Sequence, residues 1–324
     1  MFHDEIVAAR ARLPLRMAMP YYDDRDSAWL LARRMCGDAR IADLRSGPEA
    51  RFLDRPLLRP LVAGCGGVLR RADVAALAEA QSLADTDDLS RAGWEALGAA
   101  FDLRWMDFEL SFADWGVGQD RGWHQMSRDG GNLVVQLAFP TDHAALMRRY
   151  LPEMPRHKFE YQLHPVRRDG RPTLAWARLD IDLARGVALI EEVQSDWLRF
   201  AARHVAHVAE QEPRSRHLKG LRAYEADLRV LYGRVWPRAM MLAVLEVLAH
   251  LRCREVWMHQ PWTGNLLKSC NGPVSIYRDL PRAFGFDPTG EAPHFLARPR
   301  RRLLRKLRVG PDHRRRPIFW RLDL

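Results

Sequence analysis

The sequence is poor in cysteine. It has Cys36, Cys65, Cys253 and Cys270, no two of them in a CxxC pair. That argues against a disulfide framework and leaves no ligand set with zinc spacing, so reduced thiols in a cytoplasmic protein are the expectation. No apolar run approaches the ~20 residues that span a bilayer, and no membrane is expected among the partners. The first residues, MFHDEIVAARARLPLRM, lack the apolar stretch of a secretion signal. Asp4 and Glu5 argue against a transit peptide, which leaves an ordinary first helix. Internal repeats and low-complexity linkers are missing. Glycine clusters at 64–67 (GCGG), with no strand before it and no Lys-Ser/Thr after it. Such a cluster breaks a helix rather than cradling a phosphate.

What is present suits a globular protein with a proper core: 324 residues, 47% hydrophobic and 28% charged. The net charge of +10 is unevenly placed. Residues 298–316 hold ten Arg or Lys against Asp312 alone, so this stretch carries nine of the ten excess positive charges. A basic run of this kind meets nucleic acid or another polyanion, with Arg300, Arg301, Arg302, Arg305 and Lys306 as the candidate contacts. The competing reading is a solvated helix face, because no base-stacking aromatic interrupts the run.

The hydrophobic pattern divides the chain at about residue 102. Residues 1–102 read as a mainly helical N-terminal region, with amphipathic segments at 26–36, 72–83 and 88–101. From 103 to 324 the pattern is that of an α/β domain. WMDFELSF alternates like a strand, and NLVVQLAFP (132–140) reads as a buried strand before a short helix to Tyr150. Runs 158–166, 173–182 and 187–194 predict an antiparallel meander, the last two joined by a turn at Leu183–Gly186. Helices follow over 197–210, over 218–232 and from Pro237, then a short strand EVWMH and a terminal strand PIFWRLDL. The expected fold class is α+β: a mainly antiparallel, mixed sheet with packed helices.

The chemistry concentrates in LIEEVQSDW, Leu189–Trp197. Strand alternation sends Glu191 to one face and Glu192, with Gln194, to the other. A buried carboxylate needs a partner, and Arg178 on the preceding strand is a candidate. Ser195 or Asp196 can cap the following helix, and a polar cluster where a strand runs into a helix is a frequent ligand location. Glu192, Gln194 and Asp196 are therefore the candidate catalytic residues, with Glu191, Ser195, Trp197 and His259 as binding or positioning residues. The competing reading is a buried ion pair plus a helix cap. His204 and His207, three apart on a helix, lack the HExxH arrangement and read as solvent-facing, so no metal is expected. Trp236 and Trp257 read as core.

Ile190–Trp197 resembles the EIQSDW motif of domains in large polyvalent proteins of bacteriophages and mobile elements. The resemblance extends loosely over 187–286, through Trp236 and its helix, EVWMH, and Tyr277-Arg278-Asp279-Leu280-Pro281. It supplies a location for the site. A second resemblance is to the GNAT acetyltransferases: a meander, a helix, a strand, a loop with Asn265, and a helix ending Phe284-Gly285-Phe286. It implies a GNAT-like core, a group-transfer (acyltransferase-like) activity and acetyl-CoA or another acyl-CoA as cofactor. It also implies Tyr277 as general acid, Glu191 or Glu192 as base and Asn265 at the binding site. The sequence departs from that family's pyrophosphate loop, since no glycine follows Gln194-Ser195-Asp196 until Gly220. Two functions thus stand: an enzyme acting on a small-molecule or protein substrate at the motif, or a non-catalytic nucleic-acid- or protein-binding module using 298–316.

Overall fold

The computed structural model describes residues 1–79, 89–101, 105–117, 125–167, 169–268, 273–296, 298, 301, 303, 305 and 317–324. Its strands are β1 (Arg16–Tyr21), β2 (Ala39–Arg40), β3 (Val68–Leu69), β4 (Met106–Trp115), β5 (Asn132–Ala138), β6 (Thr173–Asp182), β7 (Val187–Gln194), β8 (Glu255–His259), β9 (Asp287–Thr289) and β10 (Phe319–Asp323). The protein is α+β, with a mixed, mainly antiparallel eight-stranded sheet in the order β1-β4-β5-β6-β7-β8-β10-β9. Among the described residues no helix is long and apolar enough to cross a membrane.

Contacts divide the chain into two units. One comprises Met1–Met19 and Phe108–Asp323; the other comprises Pro20–Asp107 and Leu324. The first helix, His3–Ala11, therefore belongs with the sheet-bearing part, whereas the sequence pattern grouped it with the helical region. The second unit is mainly helical, built on Leu31, Phe52, Leu53, Leu58, Leu61, Val74 and Leu77, all fully buried. Its β2 and β3 form a two-stranded pair. GCGG ends the helix Arg59–Gly64, and Gly66 and Gly67 take φ of 63° and 90°, a left-handed turn that suits glycine.

In the sheet-bearing unit, β5, β6 and β7 form the meander, and Gly186 at φ 65° makes the turn between β6 and β7. Run 158–166 is not a strand. Both edges of β6 are already taken by β5 and β7, and the run is folded into successive turns, with Glu160 N bonded to His157 O and His164 N to Tyr161 O. Pro165 within it removes a ladder donor. After β7 come the helices Asp196–Gln211, Arg216–Tyr232 and Val235–His250. The third packs on β5, β6 and β7, with Met240, Met241, Val244 and Leu248 fully buried, and the chain returns as β8 parallel to β7. The opposite face is closed by Val187, Leu189, Trp257, Ile318 and Phe319 with Leu296 and Leu303.

Candidate functional site

The motif strand carries a bulge. Arg178 faces Glu192 and Leu179 faces Ile190, so Glu191 is an extra residue with no partner position on β6. Directly opposed residues of an antiparallel pair project to the same face. Asp180 opposes Leu189, Arg178 opposes Glu192 and Trp176 opposes Gln194. The extra residue therefore brings Glu191, Glu192 and Gln194 onto one face, where strict alternation predicts that Glu191 and Glu192 separate. Arg178 serves both carboxylates. Its Nη2 bonds Glu192 and donates to Gln125 O at 3.1 Å, and its charge also acts on Glu191. Arg178 is buried and Glu192 is 13% exposed.

Asp196, the first residue of the helix Asp196–Gln211, is the hub of a second cluster. Its Oδ2 accepts from His164 Nδ1 at 2.7 Å and from Trp176 Nε1 at 3.0 Å. Its Oδ1 accepts from Gln194 Nε2 at 2.6 Å and also from Arg199 Nη2. Burial alone raises the Asp196 pKa, but the hydrogen bonds from His164, Trp176 and Gln194 outweigh it and hold the carboxyl below its ordinary range. A neutral His164 that donates through Nδ1 has its lone pair on Nε2. That nitrogen makes no hydrogen bond among the described residues, and the side chain is 25% exposed. The ring is fixed edge-on between Tyr161 (centroids 4.7 Å) and Trp176 (5.2 Å).

A third cluster lies wholly inside. Glu191 Oε1 accepts from Ser127 N at 3.0 Å, and Oε2 accepts from Ser127 Oγ at 2.8 Å. His259 Nε2 stands 2.9 Å from Ser127 Oγ and 3.2 Å from Glu191 Oε2. Lys268 Nζ donates to the Glu191 carbonyl and pairs with the carboxylate at 3.7 Å. The parallel ladder between β7 and β8 ends at Ile190 and Met258, so Lys268 supplies a donor where β8 stops doing so. Burial raises the Glu191 pKa, but the His259 bond and the Lys268, His259 and Arg178 charges overcome it, and the carboxyl is held far below its ordinary range. Burial lowers the His259 pKa, and among the described residues its Nδ1 is buried without a hydrogen bond.

The candidates therefore fall into two places. Gln194 and Asp196 meet at the exposed cluster, with Glu192 beside them on the same face. Glu191 and His259 meet at the buried one. Tyr277 joins the buried group, its ring 5.9 Å from Lys268 Nζ and its carbonyl accepting from Trp320 Nε1. Asn265 lies half-buried on the helix Pro261–Lys268. Ser195 occupies the cap position, but its hydroxyl bonds Leu174 O at 2.6 Å rather than a helix amide. Trp197 is core, donating to Tyr224 Oη at 2.8 Å. Arg301 and Arg305 are exposed; Arg300, Arg302 and Lys306 lie outside the described residues. Among the described residues no group of three or more His, Cys, Asp or Glu is placed to hold a metal ion.

His164, Trp176, Ser127 and Lys268 escaped sequence reasoning. His164 is 32 residues from Asp196, in a stretch whose alternation mimics a strand. Lys268 had a usable signal: only four of the 51 basic residues are lysines, at 158, 219, 268 and 306. No family model, curated protein or solved structure matches the chain.

Proposed function

We propose that the chain is a group-transfer enzyme whose general base is His164, held by Asp196 at the strand-to-helix junction of the motif. The observation that carries this is the Nδ1–Oδ2 bond of 2.7 Å to a buried carboxylate, which leaves Nε2 without a hydrogen bond among the described residues on a side chain that is 25% exposed. The acceptor's O–H or N–H proton passes to Nε2. The freed electron pair forms the new bond to the transferred group, and the donor's bond to its leaving group breaks, the pair going with the leaving group. The leaving group then takes the proton from the imidazolium. Glu192 and Arg178 offer a polar pair along the same face.

The resemblance to the EIQSDW-motif domains supports this location, with Glu192, Gln194, Ser195, Asp196 and Trp197 on the matching positions. The GNAT resemblance finds support in the element order: a meander β5-β6-β7, a helical crossover, the parallel β8 and the antiparallel β10. The residues do not fit its coenzyme. A pyrophosphate at the helix Asp196–Gln211 would meet the Asp196 carboxylate, and no glycine in the first turn lets backbone approach it. The gap beyond Ile190 and Met258 is occupied by Lys268. Another activated acyl donor, an ester or a simple thioester, is the reading retained.

The test incubates the full chain with activated acyl esters and hydroxyl or amine acceptors and follows transfer by mass spectrometry. Transfer above the solution rate is expected from the wild type and is lost in His164→Gln with an unchanged circular dichroism spectrum. Turnover of no donor, or full activity in H164Q, defeats the reading.

One observation favours a second reading. Arg298, Arg301 and Arg305 are exposed and helical at spacings of three and four, while Leu303 between them is fully buried. That is a basic stripe anchored by an apolar residue, suited to a nucleic-acid backbone. Replacing the three arginines with glutamine is then expected to reduce the slope of log affinity against log salt by about 2–3, at ~0.9 per duplex phosphate contact. An unchanged slope in filter binding removes this reading.

A further inference from the structure

Beside the open Nε2 of His164 lies an aromatic ledge that the transfer reaction does not itself require. Tyr161 is stacked on Phe200, with ring centroids 5.5 Å apart and planes 21° from parallel. Tyr161 also meets the His164 ring edge-on, with centroids 4.7 Å apart, and is 38% exposed, so an aromatic surface borders the base. Two guanidiniums frame the ledge: Arg199 Cζ is 5.3 Å and Arg203 Cζ is 5.5 Å from the centre of the Phe200 ring. Arg199 is tied to Asp196, whereas Arg203 is exposed and pairs with no carboxylate among the described residues. Guanidiniums held against a ring keep their outer N–H groups free for an anion.

We infer that this ledge binds a ring-bearing phosphate of the nucleotide class, the planar ring on Tyr161 and the phosphate on Arg203. The inference rests on His164 being the working base, and it names the kind of molecule presented to it. An aliphatic anion would leave the ring surface uncovered, and a neutral aromatic would leave Arg203 unpaired. A nucleotide covers both.

Calorimetric titration of the full chain with adenosine 5′-monophosphate, adenosine and inorganic phosphate tests this. The monophosphate is expected to bind at least 10-fold more tightly than either half. Arg203→Gln is expected to weaken monophosphate binding about 10-fold and leave adenosine binding unchanged, and Tyr161→Ala to weaken both. No heat from the monophosphate overturns the inference, as does phosphate alone binding equally well or R203Q binding as the wild type does. His164→Gln separates this from the catalytic reading. Binding that survives H164Q without any transfer by the wild type keeps the ledge and discards the base. Transfer that H164Q abolishes while Y161A and R203Q leave it untouched discards the ledge alone.

Discussion

Asp196→Asn is expected to lower group transfer by ~10²–10⁴-fold, the range for loss of a positioned acid–base group. The carboxylate accepts from His164 Nδ1, Trp176 Nε1, Gln194 Nε2 and Arg199 Nη2, two donors on each oxygen. An asparagine has one acceptor oxygen, and its NH₂ group would face two of those donors. If the oxygen keeps Gln194 and Arg199, His164 loses its acceptor; its ring then favours the tautomer with the proton on Nε2, and the base is lost. The ¹⁵N chemical shifts of the His164 ring read this without any substrate. The wild type should show a protonated Nδ1 and a bare Nε2, and D196N a mixture or the reverse. Because the two residues act as one unit, the double variant D196N/H164Q should fall no further than either single variant. An Nδ1 that stays protonated in D196N, or losses that multiply in the double variant, would show that Asp196 does not orient His164.

The fold was readable where a periodic pattern had one structural outcome. NLVVQLA has the apolar content of a strand covered on both faces, and every residue of β5 is buried. TLAWARLDID and VALIEEVQ were separable because Gly186 permits the tight turn between them. The stretch 158–166 misled because its alternation of Phe159, Tyr161 and Leu163 matches a half-buried strand. Neither edge of β6 was left for it, and the same residues instead pack as a loop, with Phe159 buried and Leu163 exposed.

Of the site, Asp196 and Gln194 were legible because a motif puts them two residues apart. Their partner His164 was not, since nothing local ties it to Asp196. The relation of Glu191 to Glu192 was misread for a different reason. Alternation assumes that every residue has an opposite number, and one extra residue in β7 reverses the conclusion. A bulge is set by the pairing partner, so the sequence of a single strand does not announce it. The cost of burying carboxylates in an apolar strand did predict that at least one would be matched, and it pointed to Arg178, which Glu192 engages.

The same cost argument makes the buried cluster the place where stability is most exposed to substitution. Lys268→Met and Glu191→Gln are each expected to destabilise the protein by ~3–5 kcal/mol, because either one leaves a buried, uncompensated partner. The two side chains are 1% and 0% exposed, so solvent does not screen the loss. The double variant E191Q/K268M removes both charges together and is expected to cost less than the sum of the two, with a coupling of ~1–3 kcal/mol in urea unfolding followed by tryptophan fluorescence. Acid sharpens the test. His259 titrates below its ordinary 6.5 in the folded state, so its contribution is full above that pH and declines as the unfolded chain takes up a proton. Glu191 titrates below its ordinary 4.5, so its contribution is full above pH 4.5 and is lost as pH falls toward the depressed folded value. The stability gap between wild type and E191Q should therefore be constant above pH 4.5 apart from the histidine's share, and narrow below it. Single variants that cost under ~1 kcal/mol and add without coupling would mean that water reaches the pair and that Lys268 does not hold β7 and β8 at their point of divergence.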